Sequence, residues 1–183
     1  MTALEARDLV RVPSLLSLLR IPLAAAFPFF IERPAAAIAI LCAAGASDVL
    51  DGWYARRFHQ TTATGAIVDP VTDKIFVLTV ALTLVVTGKL SIPILLLLGT
   101  RDIGELPLVT WLALDKRMRD RVHETTSNVL GKAATALQFA TVVAAIAGAP
   151  APAVLAAAVS TAILGAAAAI GYWRTTRQQL RSA

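Results

Sequence analysis

DVLDGWYARRFHQTTATGAIVDPVTD, residues 48–73, sets four carboxylates, Asp48, Asp51, Asp69 and Asp73, between strongly apolar runs. Ionised side chains are costly in hydrophobic surroundings, and like charges this close repel unless a cation is shared. Clustered hard oxygen donors point first to Mg²⁺ or a similar divalent ion. The alternative is a set of ordinary acids at a water boundary, paired with Arg56, Arg57 and Lys74. Read as helix, Asp48 and Asp51 are three apart with Ala55 four further on, so all three share a face, and Asp69 lies four before Asp73 and four after Gly65. Two helix ends thus each carry two carboxylates and are joined by a short polar turn. Gly52, Ala55 and Gly65 are small enough to let a backbone or a phosphate approach. Pro70 lacks a backbone donor, so either the second helix begins there or its first turns are distorted.

Outward from this stretch the chain is 57% hydrophobic, far from a soluble domain's profile. Apolar runs near residues 14–31, 35–55, 65–87, 91–114, 128–148 and 152–173 each approach the roughly 20 residues that a bilayer-crossing helix needs. The predicted fold is all-α: a polytopic membrane protein of six transmembrane helices in a single domain, 1–183. Runs of Ala, Leu and Val favour helices over a barrel, whose strands need alternation over about ten residues. Residues 1–13 mix Glu5, Arg7, Asp8 and Arg11 with Leu4, Leu9, Val10 and Val12, the pattern of a short helix lying on the membrane surface or of a frayed terminus. A cleavable signal peptide over residues 1–26 is the weaker reading, since its small-residue cleavage candidates lie inside continuous apolar sequence.

Lys and Arg favour the cytoplasmic side of a membrane. With both termini cytoplasmic, that side receives Arg7, Arg11, Arg56, Arg57, the Lys116–Arg121 loop and the C-terminal arginines, and the other side only Arg33 and Lys89. The acids then sit at the cytoplasmic face, and the net charge of +5 reflects topology and anionic lipid with no need for nucleic acid. Cys42 is a single cysteine in an apolar run and forms no internal disulfide. His59 and His123 are isolated loop histidines, which argues against a zinc site. Trp53, Trp111 and Trp173 fall near span ends and read as interface anchors.

The spacing D-x2-D-G-x2-A-R-x8-G-x3-D-x3-D, met by Asp48, Asp51, Gly52, Ala55, Arg56, Gly65, Asp69 and Asp73, resembles the signature of the CDP-alcohol phosphatidyltransferases. Eight fixed residues at fixed offsets are a far more specific match than a lone glycine motif. The resemblance implies transfer of a phosphatidyl group from a CDP-linked donor to a hydroxyl acceptor with release of CMP, a homodimer, and a pair of Mg²⁺ or Mn²⁺ ions held by Asp48, Asp51, Asp69 and Asp73. It also implies that Asp73 is the general base, that Gly52, Ala55 and Gly65 admit the nucleotide and pyrophosphate, that Arg56 contacts donor phosphate, and that Thr62 donates from the connecting loop. Towards the amino terminus, VPSLLSLLRIP resembles the family's Pro-Asn, Thr and Arg sequence, with Ser14 and Ser17 at the Asn and Thr places and Arg20 kept. Arg20 lies about 10 Å along its span, so it must line a polar cavity or snorkel to the interface; lining, on the acceptor side, is the preferred expectation.

Arg101, Asp102 and Glu105 lie within the fourth apolar run, either as a structural ion pair or as an acceptor site in which the Arg101 fork takes a phosphate. Gly131, Lys132, Thr135 and Gln138 follow a capping stretch and resemble the Gly-Lys, Thr, Gln pattern of bacterial phosphatidylglycerolphosphate and cardiolipin synthases, with Lys132 a second phosphate contact or an interfacial anchor. The expected substrates are CDP-diacylglycerol and glycerol 3-phosphate, in glycerophospholipid synthesis at a bacterial inner membrane. Phosphatidylglycerol, giving cardiolipin, is the second choice of acceptor, and inositol phosphate and serine follow. Outside the family, an intramembrane prenyltransferase also uses aspartate-bound Mg²⁺ but generally has more spans and another acid spacing. A small cation transporter would not require Gly52, Ala55, Arg56 and Gly65 at their offsets.

Overall fold

The computed structural model describes residues 17–57, 65–114 and 129–182. All regular structure among them is helical, in two compact units, Met1–Lys89 and Leu90–Ala183.

The first unit holds α1 (Arg20–Phe30), α2 (Pro34–Arg57) and α3 (Gly65–Val86). α1 packs against both of the others. Its buried residues, Arg20, Ala24, Phe27 and then Ile31, recur at steps of four and three, the period of one helix face. Ala37, Leu41, Ala44 and Ser47 do the same on α2. The turn between them is tight, with the Arg33 N–H on the Phe30 carbonyl at 2.9 Å, and Pro34 opens α2 where no amide donor is needed. On α3, Thr72, Phe76, Val80, Thr83 and Leu84 are buried, while Val71, Ile75, Leu78, Leu82 and Val86 form an exposed stripe of equally apolar residues. A helix apolar on both its packed and open faces suits lipid surroundings rather than water. α3 begins at Gly65, ahead of Pro70, so the proline does not start the helix.

The second unit holds α4 (Ile92–Leu98), α5 (Thr100–Leu114), α6 (Val129–Ile146) and α7 (Ala151–Ser182). The fourth apolar run is therefore two helices meeting at Gly99 rather than one. The break is shallow: the Gly99 N–H still reaches the Leu95 carbonyl, the Ile103 N–H reaches Gly99, both at 2.9 Å, and the Thr100 hydroxyl donates to Leu97 at 2.8 Å. α7 is central, packing on α4, α5 and α6 through Val154, Ala158, Thr161, Gly165 and Ala168. The alanine-rich composition of α7 is what permits this, because small side chains let helix axes close up.

Two helices among the described residues, Val129–Ile146 and Ala151–Gln178, are long and apolar enough to cross a membrane. Several buried hydroxyls within the helices are satisfied locally, Thr83, Thr141 and Thr161 each donating to the carbonyl four residues back, at 2.7, 2.7 and 2.9 Å, whereas the Thr176 hydroxyl has no partner among the described residues. α3 and α6 both end in left-handed glycines, Gly88 at φ 70° and Gly148 at φ 81°, whose N–H groups return to Val85 and Ala145. A Cβ built at either glycine would meet nothing within 4 Å.

Candidate active site

α2 continues unbroken to Arg57 and α3 starts at Gly65, so the backbone delivers the register that the sequence predicts: positions 48 and 51 on the last turns of one helix, 69 and 73 on the first turns of the next. The side chains of Asp51, Gly52, Ala55, Arg56, Gly65 and Asp69 lie outside the described residues, as do Thr62, His59, His123 and residues 1–13 in full. Asp48 and Asp73 are described, and both are exposed. Among the described residues no three His, Cys, Asp or Glu side chains converge.

Asp48 is engaged by a residue far from it in sequence. Arg20, on the first turn of α1, directs Nη2 to Asp48 Oδ1 at 2.7 Å, with the arginine side chain 1% exposed and the aspartate 56%. The guanidinium is always charged and is buried by the same stripe that carries Ala24 and Phe27, so it needs an anionic partner. Among the described residues nothing donates to the second carboxylate oxygen, Oδ2. Half-exposed, and with one oxygen accepting from none of the described residues, Asp48 has the donor chemistry that a hard divalent ion takes.

In the second unit Arg101 is the centre of a network. Its Nε donates to Glu105 Oε1 at 2.9 Å, and its Nη1 donates to the Gly131 carbonyl at 3.1 Å and to the Thr135 hydroxyl, tying α5 to the start of α6. Thr135 in turn donates to Gly131 at 3.0 Å. The close approach favours glycine at 165, where a Cβ would lie 3.0 Å from Arg101 Cβ and 3.1 Å from its backbone nitrogen, while a Cβ at Gly131 would come into ordinary contact with the guanidinium carbon at 3.4 Å. One turn on, a Cβ at Gly104 would meet Ala169 at 3.0 Å, and the Trp173 indole N–H donates to the Gly104 carbonyl at 3.1 Å. Arg177 lies over the Trp173 ring, 5.7 Å from its centre. Lys132 is exposed beside Gly131, and Asp102 is exposed beside Arg101.

The ion pair expected between Arg101 and an acid is present, with Glu105 as the acid. Its extension to Gly131 and Thr135 joins two motifs that the sequence reading treats separately. Trp173 is half-buried and hydrogen-bonded, a helix-packing contact that span-end position alone does not reveal. The Arg20–Asp48 pair also goes unread in the sequence, although the burial forced on an arginine six residues into an apolar run is a signal that it needs an anion.

The model of the CDP-alcohol phosphatidyltransferase family matches residues 10–173, which take in both units. The chain belongs to this family of transferases. Over 104 residues, 54% of this chain and 50% of the relative, it is 36% identical to a Mycobacterium tuberculosis (strain ATCC 25618 / H37Rv) protein named "Putative cardiolipin synthase". Over 74 residues, 36% of this chain and 39% of the relative, it is 42% identical to the CDP-diacylglycerol–glycerol-3-phosphate 3-phosphatidyltransferase of Escherichia coli (strain K12). The chain thus spans about half the length, or less, of the curated relatives it matches. Membership of the family leaves the prenyltransferase and transporter readings without support.

Proposed function

We propose that this protein transfers the phosphatidyl group of CDP-diacylglycerol to glycerol 3-phosphate. The acceptor hydroxyl oxygen attacks the phosphatidyl phosphorus, the bond from that phosphorus to the bridging oxygen breaks, CMP leaves with the electron pair, and Asp73 takes the hydroxyl proton. The observation that carries the reading is the acid register on two successive helix ends, with Asp48 half-exposed and one of its oxygens uncommitted. Asp48, Asp51, Asp69 and Asp73 would hold two Mg²⁺ or Mn²⁺ ions, which when bound supply positive charge to the donor's pyrophosphate. Gly52, Ala55 and Gly65 leave room for nucleotide and pyrophosphate, and Arg56 and Thr62 contact the donor.

On the acceptor side, Arg101 and Lys132 take the phosphate of glycerol 3-phosphate. The Arg101 guanidinium is fixed through Nε and Nη1, which leaves Nη2 for an anion, and Lys132 is exposed on the adjoining turn. The name of the E. coli relative favours this acceptor. The name of the mycobacterial relative favours a second reading, phosphatidylglycerol as acceptor and cardiolipin as product. Six spans in one domain, cytoplasmic termini, a site at the cytoplasmic face of a bacterial inner membrane and a homodimer complete the proposal. The two long apolar helices, the exposed apolar stripe of α3 and a family match running from residue 10 to residue 173 support it.

The test is incubation of purified protein in detergent with CDP-diacylglycerol, Mg²⁺ and one acceptor at a time, followed by CMP measurement and lipid mass analysis. Phosphatidylglycerolphosphate with stoichiometric CMP is the expected result. Cardiolipin in place of it would transfer the assignment to the second reading, and absence of CMP with every acceptor would overturn both.

A further inference from the structure

We infer that Arg20 is a positioning residue for Asp48: it anchors Oδ1 so that the remaining oxygen is presented in one orientation to a divalent cation. The inference rests on the reading of Asp48 as a ligand and departs from the expectation that Arg20 meets the acceptor. Three observations carry it. Arg20 is 1% exposed and stands in register with Ala24 and Phe27 on the packed face of α1, so its position is set by the core of the first unit. Its 2.7 Å contact falls on one carboxylate oxygen only, although a carboxylate offers two. The aspartate at the other end of the pair is 56% exposed, so the pair turns an anion outward instead of sealing it in.

An unanchored aspartate on a helix end must give up side-chain freedom on taking an ion, whereas one held by a fixed donor has given it up already. Partners of this kind typically contribute about 10–100-fold in metal affinity. The guanidinium charge acts against this, since it repels the cation, so a variant that removes charge and anchor together mixes two opposing effects. Arg20→Lys separates them: the charge stays, while the planar fork and its reach are lost.

The experiment titrates full-length protein in detergent with Mn²⁺, following the free-ion electron paramagnetic resonance signal, and measures acceptor KM in parallel. R20K is expected to weaken Mn²⁺ binding by about tenfold or more while acceptor KM at saturating metal stays unchanged. Mn²⁺ binding equal to or tighter than wild type would overturn the inference, and so would a raised acceptor KM with unaltered Mn²⁺ binding. Asp48→Asn is the control for the reading beneath: if D48N binds Mn²⁺ as wild type does, or wild type binds none, the ligand assignment itself falls. If D48N loses binding and R20K does not, only the role of Arg20 falls. Should R20K not fold, Arg20→Met replaces a buried charge by an apolar chain of similar volume, a change that proteins often tolerate. Loss of repulsion works against the effect in that variant, so weaker Mn²⁺ binding in R20M supports the inference and equal or tighter binding overturns it.

Discussion

The two units handle a costly arginine in opposite ways. In the first, Arg20 is wholly buried and its partner Asp48 stands half in the open with an oxygen to spare. In the second, Arg101 and Glu105 are comparably shielded, at 23% and 20% exposure, and a backbone carbonyl and a hydroxyl join them. One arrangement leaves the anionic end of the pair exposed, and the other encloses both ends between two helices. An ion pair in an apolar protein is therefore read from how exposure is divided between its ends, because sequence spacing shows only that charges are present.

The largest effect should come from the open side. Asp73→Asn is expected to lower turnover by about 10²–10⁴-fold, the usual worth of a positioned base, while CDP-diacylglycerol binding measured at equilibrium is largely kept; normal turnover would remove Asp73 from that role. On the closed side the corresponding break is steric. Gly165→Ala puts a Cβ 3.0 Å from Arg101 Cβ and 3.1 Å from its backbone nitrogen, where backbone has to move, and overpacking of this kind costs about 1–3 kcal/mol, readable as a lower melting temperature in detergent. Gly88→Ala, which meets strain but no contact, is the comparison variant.

Arg101→Ala should both destabilise, by about 1–3 kcal/mol through a partly buried Glu105 left without its cation, and raise the KM for glycerol 3-phosphate. Arg101→Ala with Glu105→Gln should recover part of the stability and none of the KM, and recovery of both would make the arginine purely structural. Trp173→Phe is the smallest, about 1 kcal/mol for one hydrogen bond, and a null result would show that the Gly104–Ala169 approach holds α5 and α7 without it.

The helices were legible because long runs of Leu, Ala, Val and Ile admit little else, and the register of the acids was legible because a helix fixes which neighbours share a face. What escaped the sequence lies beyond that short range. Arg20 and Asp48 are 28 residues apart, and no local period links them. Gly99 parts the apolar run Ile92–Leu98 from Thr100, Arg101 and Asp102, a local drop in hydropathy that a single run over residues 91–114 averages away. Gly104 and Gly165 read as ordinary small residues until two helices close on them. The proposal of Gly52, Ala55, Arg56 and Gly65 as donor-binding positions rests on their motif spacing and on a family match that runs through them.

Gly88 and Gly148 stand in open space with positive φ, so what these two turns exclude is a handedness and not a size. An L-alanine at either would meet no neighbour and would still be strained by about 1–2 kcal/mol, whereas its D-enantiomer, placed there by chemical ligation, would fit without penalty and stiffen both turns.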